Sequence, residues 1–304
     1  MLSEVHELKE EGFVRLALEH RSILEPLLLN QEVQHSCSTF SSIFIWDVDN
    51  TTWWKIENDC LILISNNGKS YVPLVPRGPG DKKSAFASFK KLAHLFGWPI
   101  INIDFVDEKE SGFIPNLNLH EPYSDYIYET QSIIDLKGSK YASRRNARNS
   151  FLKNYPDVEC LPYDISRLND CIELLDKWHP QSNFQNEIHQ QKKRDADYQS
   201  TLRALNHFRE LNLTGMTLNI DGKLAGFTFG EILKNDTCNI IIEKTDRNFK
   251  GSAEFIWSEF LARYWNDTAF CNAGDDWGVP SLAWTKQSYH PISMLPKWSA
   301  SCAV

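Results

Sequence analysis

Between Lys137 and Lys153 lie six basic residues and no acidic one: Lys137, Lys140, Arg144, Arg145, Arg148 and Lys153. Lys140, Arg144 and Arg148 recur at every fourth position, so a helix would project them from one side. Tyr141, Ala147, Phe151, Leu152 and Tyr155 can supply an apolar face beside them. Two chemistries are open to such a stretch. It is either a solvated face between domains, balanced by carboxylates elsewhere, or a guanidinium cluster for the phosphates of a nucleotide, a tRNA backbone or a coenzyme pyrophosphate.

A second stretch, "IIIEKTDRNFKGSAEFIW" at 240–257, reads as the end of a strand, a loop with Arg247, Lys250 and Gly251, and the start of a helix. Free backbone amides and a helix N-terminus there would face an arriving anion; the competing reading is an ordinary loop in which Gly251 serves the turn. A third, "AFCNAGDDWGVPSLAWTKQSYHP" at 269–291, sets Asp275 and Asp276 beside Gly274 and Gly278 after a strand-like "TAFCN". Paired carboxylates can hold an ammonium or accept a proton from an attacking amine, or merely form a solvated turn. Lys286 and Tyr289 are near enough in sequence to orient a carbonyl or a phosphate.

Other stretches carry less. "RGPGDKK" at 77–83 lacks the G-x-x-x-x-G-K-[ST] spacing of a phosphate loop and reads as a Pro/Gly turn. His179 and His189 have no metal-ligand spacing and read as surface histidines, so no metal site is expected. No G-x-S-x-G and no Cys/His pair argues for a nucleophilic hydrolase. Tryptophans such as Trp53, Trp54, Trp257 and Trp265 are expected in the core.

The elements that must position these residues fall into two halves. After a helix near Arg21–Asn30, "SSIFIWDV", "TWWKIEN" and "CLILISNNGKSYVPLVPRG" read as an antiparallel meander, then come a helix over about Lys82–Phe96, the strand "PIINIDFVD" and a further strand around "SDYIYETQSIID". The second half offers "DVECLPYD" as a strand, "SRLNDCIELLDKWH" and "DADYQSTLRALNHFREL" as helices, a hairpin turning at Asp221-Gly222, the strand "CNIIIEK", and the helix "FKGSAEFIWSEFLARYW". Strand, two helices, three antiparallel strands, a Gly-containing loop and a helix is the order of the Gcn5-related N-acetyltransferase fold. The expectation is an α+β chain: an N-terminal acetyltransferase-like domain over 1–136, a basic connecting helix over 137–156, and a C-terminal domain over 157–304 carrying the active site.

Composition narrows the class. The chain has 304 residues, 42% of them hydrophobic, enough for real cores. A net charge of −8 and a pI near 5.6 argue against general coating of nucleic acid, while leaving room for one local basic site. Seven cysteines without C-x-x-C spacing fit reduced, buried thiols, which points to the cytoplasm. The charged N-terminus lacks the apolar core of a signal peptide, and no run approaches a membrane span, so no integral membrane segment is expected.

Taken in order, "DYIYETQSIIDLKGSKYASRRNARNSFLKNYPDVECLPY", "LTGMTLNIDGKLAGFTFGEI", "IIIEKTDRNFKGSAEFIWSEF" and "NAGDDWGVPSLAWTKQSYHP" resemble the soluble bacterial family related to the C-terminal domain of phosphatidylglycerol lysyltransferase. The resemblance covers nearly the whole chain. It implies a tandem of two acetyltransferase-like domains, akin to the Fem peptidoglycan aminoacyltransferases and the leucyl/phenylalanyl-tRNA-protein transferases, which pass an aminoacyl ester from tRNA to an amine or hydroxyl without a metal. Arg144, Arg145 and Asn146 match the family's Lys/Arg-Arg-Asn segment, and Glu243 and Lys244 its Glu-Lys. In the last motif Asn272, Asp276, Gly278, Leu282, Lys286, Ser288, Tyr289 and Pro291 are kept. Ala273, Gly274, Ala283 and Trp284 depart from it, replacing Arg, Glu, Arg and Lys.

The resulting expectation is a transferase that moves an aminoacyl group from aminoacyl-tRNA, or an acyl group, to an amine or hydroxyl acceptor such as a small molecule, a lipid headgroup or a peptide. Glu243, Asp275, Asp276 and Lys286 are the catalytic candidates; Arg144, Arg145, Arg148, Lys244, Arg247, Lys250 and Gly251 would hold the donor's phosphates; Asn146, Asn272 and Tyr289 would orient substrate. No tightly bound cofactor is expected, only aminoacyl-tRNA or acyl-CoA as donor co-substrate. Alternatives are an acyl-CoA N-acyltransferase and a non-catalytic protein that keeps the fold to bind a nucleotide, RNA or peptide.

Overall fold

The hairpin expected at Asp221-Gly222 forms with φ values of 50° and 73° at its two central residues, the left-handed pair that lets a two-residue turn follow strand twist. The chain was described from a computed structural model, which covers residues 2–30, 35–66, 71–106, 112, 114, 118–119, 123–181, 188–234 and 236–304. The side chains of His179 and His189 lie outside the described residues. Its contacts resolve two compact units, residues 1–124 with 296–304, and residues 125–295.

The first unit begins with α1 (Leu2–Glu10), β1 (Val14–Arg15), α2 (Arg21–Leu28) and α3 (Phe40–Trp46). Then come β2 (Thr52–Glu57), β3 (Cys60–Asn66), β4 (Tyr71–Pro73), α4 (Lys82–Phe96), β5 (Ile100–Val106) and β6 (Asn118–Leu119). The run "SSIFIWDV", expected as a strand, is the helix α3. The Thr39 side chain accepts from the Ser42 backbone N–H and caps its start, and a short apolar run is ambiguous between helix and strand until such a cap decides it. The strands β1 to β4 form an antiparallel meander. Leu74 then meets Asp104 in a parallel bridge just past β4.

The second unit is built from β7 (Tyr123–Glu129), α5 (Thr130–Asp135), α6 (Ala142–Asn154), β8 (Glu159–Pro162), α7 (Leu168–Gln181) and α8 (Ile188–Asn206). These are followed by β9 (Thr214–Ile220), β10 (Lys223–Ile232), β11 (Thr237–Thr245), α9 (Ser252–Tyr264), β12 (Phe270–Asn272) and α10 (Pro280–Gln287). The expected strand around "SDYIYETQSIID" stops at Glu129, and its second half is α5. Strands β8 to β11 run antiparallel, β11 pairs parallel with β12, and β12 pairs antiparallel with β7.

Each unit therefore has the same order: strand, two helices, three antiparallel strands, a helix, then a strand met in parallel by the third of the meander. The fold is α+β, a tandem of two acetyltransferase-like units with mainly antiparallel sheets flanked by helices. Each has its own core. Trp53, Ile62, Ile64, Phe86, Phe89, Ile101 and Ala300 pack in the first, and Tyr128, Phe151, Met216, Leu218, Phe255, Ile256 and Phe260 in the second. Burying one such large side chain is worth about 2 kcal/mol.

These contacts group the residues differently from a division at 136 and 157. The last strand, β13 (Ser293–Ala303), pairs antiparallel with β5 through Ala300 and Ile103 and so counts with the first unit. Conversely β7, which follows the first unit in the chain, pairs with β12 in the second. The basic helix α6 packs its Phe151 into the second core, against Phe255 at 5.2 Å between ring centroids. It is part of the second unit rather than a linker.

Candidate active site in the second unit

The parallel pair β11–β12 holds register at only Thr237–Phe270, Cys238–Cys271 and Asn239–Asn272. Strand β11 then continues to Thr245 while β12 ends at Asn272, and a bulge at Ile241 re-aims the strand against β10. Beyond Asn239, β11 has β10 on one side and, among the described residues, no paired strand on the other. Backbone groups on that edge are free to meet a ligand, because only a neighbouring strand would have used them.

Glu243 sits on this splayed segment. The residue as a whole keeps some exposed surface, but its carboxyl is buried and forms no hydrogen bond or ion pair among the described residues. Burial pushes its proton affinity up, the neighbouring Glu254 carboxylate adds to that, and Lys244 and Lys286 oppose it, leaving a pKa of about 8. A carboxyl poised near neutrality without a fixed partner is what a general acid or base requires.

Lys244, next along the strand, projects from the other face of the sheet, as strand alternation dictates. Its ammonium lies 2.8 and 3.0 Å from the Asp197 carboxylate oxygens and 4.1 Å from the centre of the Trp178 ring. Arg247 lies over the same ring at 5.7 Å. Glu243 and Lys244, adjacent in sequence, thus serve two different surroundings. Neither Asp197 nor Trp178 stood out in the sequence, since they come from helices α8 and α7 and carry no local signature.

The arginines of α6 divide in the same way. Arg144 donates to the Glu254 carboxylate at 2.8 Å and to the Ser288 hydroxyl, and stacks 4.7 Å from Tyr289 and 5.4 Å from Trp284. The pair is largely withdrawn from solvent, at 15% and 12% side-chain exposure. Arg145 donates to the carbonyls of Leu136 at 2.5 Å and Gly138 at 2.9 Å. Arg148 donates to those of Ile134 at 2.6 Å and Asp135 at 3.3 Å. Arg148 thereby satisfies carbonyls left over at the C-terminus of α5, and Arg145 those of Leu136 and Gly138 just beyond it. The expected bare cationic face is consequently partnered at all three arginines, whereas Asn146 is exposed on α6.

Gly251 caps α9 with φ of 89° and lies hard against α6: a Cβ there would stand 2.3 Å from the Ala147 carbonyl oxygen. Only glycine meets both demands. Lys250 beside it is exposed.

In the 272–289 segment the polar groups hold one another. Asn272 donates to Asp125 at 2.9 Å and accepts from the Gly274 N–H at 2.8 Å. Asp275 and Asp276 accept from the Trp277 and Gly278 N–H groups, each at 2.8 Å, and Tyr126 donates its hydroxyl to Asp276 at 2.5 Å. Burial and that carboxylate push the Tyr126 phenol up to about 12. Lys286 donates to the carbonyls of Ala273, Gly274 and Asp275 at 2.5 to 3.1 Å, fixing the loop from inside. Tyr289 is buried against Trp257, 4.6 Å between ring centroids, and its phenol is pushed well above the ordinary value by burial first and by Glu254 next.

Of the expected site residues, the fold gathers Glu243, Lys286, Tyr289 and Arg144 into one neighbourhood, which also takes in Glu254, unnoticed in the sequence. The three-residue offset of Glu254 from Gly251, an acid in the first turn of a helix, was the one signal that pointed to it.

The family model described as "Phosphatidylglycerol lysyltransferase, C-terminal" matches residues 30–301. An uncharacterized protein of Mycoplasmoides gallisepticum is 27% identical over 184 residues, covering 59% of this chain and 56% of its own, so the chain spans about half the length of the curated relative it matches. A conserved protein of unknown function from Bacteroides thetaiotaomicron superposes with a TM-score of 0.85 at 26% identity, over 95% of this chain and 98% of the other. L-PGS from Bacillus licheniformis shares the fold, with a TM-score of 0.64 at 13% identity over 92% and 90%. With a match running through both units, the chain belongs to the phosphatidylglycerol lysyltransferase C-terminal family.

Proposed function

We propose that this protein is a transferase that moves an aminoacyl group from aminoacyl-tRNA to an amine or hydroxyl acceptor, with Glu243 as the general base. The carrying observation is the buried Glu243 carboxyl, unpartnered among the described residues and with a pKa of about 8, on the splayed segment of β11, in a chain of a family named for lysyl transfer.

The chemistry asks little of the protein. An aminoacyl ester is already activated, so what remains is to bring donor and acceptor together, remove a proton and hold an oxyanion. Glu243 takes the proton from the acceptor N–H or O–H as that atom attacks the carbonyl carbon. A backbone N–H on the unpaired side of β11 donates to the oxyanion. When the tetrahedral species collapses, the ester bond breaks and the departing ribose hydroxyl takes the proton back. The acceptor is a small molecule, a lipid headgroup or a peptide with a free amine or hydroxyl.

Arg247, held over the Trp178 ring, and Lys250 are exposed at the entry to α9 and are the cations assigned to donor phosphate. A small acyl-CoA donor is the second reading, favoured by the compactness of that loop. The two differ in salt dependence: tRNA covers many phosphates and loses affinity steeply between about 50 and 200 mM salt, coenzyme A only shallowly.

The test is transfer from a panel of charged tRNAs and from acetyl-CoA, with binding measured at two salt concentrations. Glu243→Gln is expected to lower the transfer rate about 100-fold or more with donor binding retained. Unchanged transfer in that variant would remove Glu243 from the reaction. Binding of a donor with no transfer from any of them would favour a non-catalytic protein that keeps the fold.

A further inference from the structure

The backbone carbonyls of three successive residues, Ala273, Gly274 and Asp275, converge on one atom, the Lys286 ammonium nitrogen, which donates to them at 2.5, 3.1 and 2.6 Å. Successive carbonyls point to opposite sides of a strand and run along the axis of a helix, so neither regular state brings three neighbours together. Here Gly274 turns the chain between them with φ of 68°, a left-handed value that glycine adopts without strain.

The turn is also clamped by bonds in which the lysine has no part. The Gly274 carbonyl accepts from the Tyr126 N–H at 3.1 Å, and the Ala273 N–H donates to the Tyr126 carbonyl at 3.1 Å. The Asn272 side chain accepts from the Gly274 N–H at 2.8 Å. The Lys286 nitrogen lies over the Tyr126 ring as well, 5.6 Å from its centre, and an aromatic face attracts a cation. Carbonyl oxygens held on a fixed backbone can replace the hydration shell of a monovalent cation. Such oxygens repel one another unless positive charge sits among them, and an ammonium brings as many N–H donors as the turn has converging carbonyls.

We infer that the 273–275 turn is a binding site for a monovalent cation of the ammonium class, and that the chain fills it with its own Lys286. The lysine is a tethered ligand, delivered from α10 across 11 to 13 positions of sequence. What the cation sets is the loop that carries Asp276, the next residue along. That carboxylate takes the Tyr126 hydroxyl at 2.5 Å and the Gly278 N–H at 2.8 Å, so Tyr126 ties it to the same strand that clamps the turn. The inference is independent of the transfer reaction and of the base assigned to it.

Lys286→Ala removes the atoms of a propylammonium ion and leaves the carbonyls in place. Its melting temperature is to be measured in the chlorides of propylammonium, ammonium and tetramethylammonium at one ionic strength, with the parent protein beside it in each salt. Tetramethylammonium is bulky and donates no hydrogen bond, and in it the variant is expected to melt about 5 °C below the parent. Propylammonium and ammonium are expected to restore most of that loss, with the saturation of a single site, while the parent does not respond. A variant that melts alike in all these salts, or a gain that does not saturate, overturns the inference. Lys286→Met fills the approach with an uncharged stem, so a recovery equal to that of Lys286→Ala would put the cation elsewhere and overturn it too. Should Lys286→Ala not fold in tetramethylammonium, recovery of folded protein in ammonium supports the site, and failure in both overturns it.

Discussion

Glu243 carries opposite consequences for activity and for stability. As a base it must be ionised, so transfer is expected to rise with pH through about 8 and to level off above it. As a burden on the fold it works the other way. The folded chain keeps this proton to about pH 8, whereas the unfolded chain releases it near the ordinary 4.5. Between those values the native state binds more protons, so stability falls as pH rises. Glu243→Gln is never ionised, and its melting temperature is expected to exceed that of the parent at about pH 9 and to match it at about pH 4. Equal melting temperatures at the higher pH would mean the carboxyl is not held out of water. Among the thiols, burial separates Cys37 from the other six. A thiol reagent is expected to label Cys37 in the native protein and all seven only after denaturation.

At the scale of elements, α6 is locked rather than presented. Gly251→Ala would force a Cβ to 2.3 Å from the Ala147 carbonyl at a residue with φ of 89°. A loss of about 2 kcal/mol or more in denaturant unfolding is expected. Arg148→Ala leaves the carbonyls of Ile134 and Asp135 without their charged donor, for a loss of about 2 kcal/mol. An arginine serving only ligand would show no such loss. The basic helix itself was legible from its period, as were α4, the hairpin and the meander of the second unit. What local pattern misread was short: "SSIFIWDV" is apolar enough for either state, and the second half of "SDYIYETQSIID" turns helical once β7 has met β12. The role of the arginines was not legible at all, because a run of positive charge looks the same whether its partners are carbonyls seven to fourteen positions away or a phosphate from solution.

For the whole molecule, the assignment of β13 to the first unit and β7 to the second makes continuous excision hazardous. Residues 157–304 alone lack both β7 and α6, and so lack the partner of β12 and part of the core containing Phe151. This fragment is expected to melt without a cooperative transition, whereas the full chain melts cooperatively; a sharp transition in the fragment would show that β7 and α6 are dispensable. The sequence by itself determined the α+β class, the order of elements in the second half, the family, and the candidates Glu243 and Lys244, because hydrophobic period, turn residues and motif order are local. Only the tertiary structure decided that Glu243 and Lys244 face different neighbours, that Arg145 and Arg148 serve carbonyls at and just beyond the end of a helix, and that Arg144 answers to Glu254. Those outcomes depend on partners brought from 7 to 110 positions away, and which of many polar groups meets a given charge is fixed by packing, which no local pattern encodes.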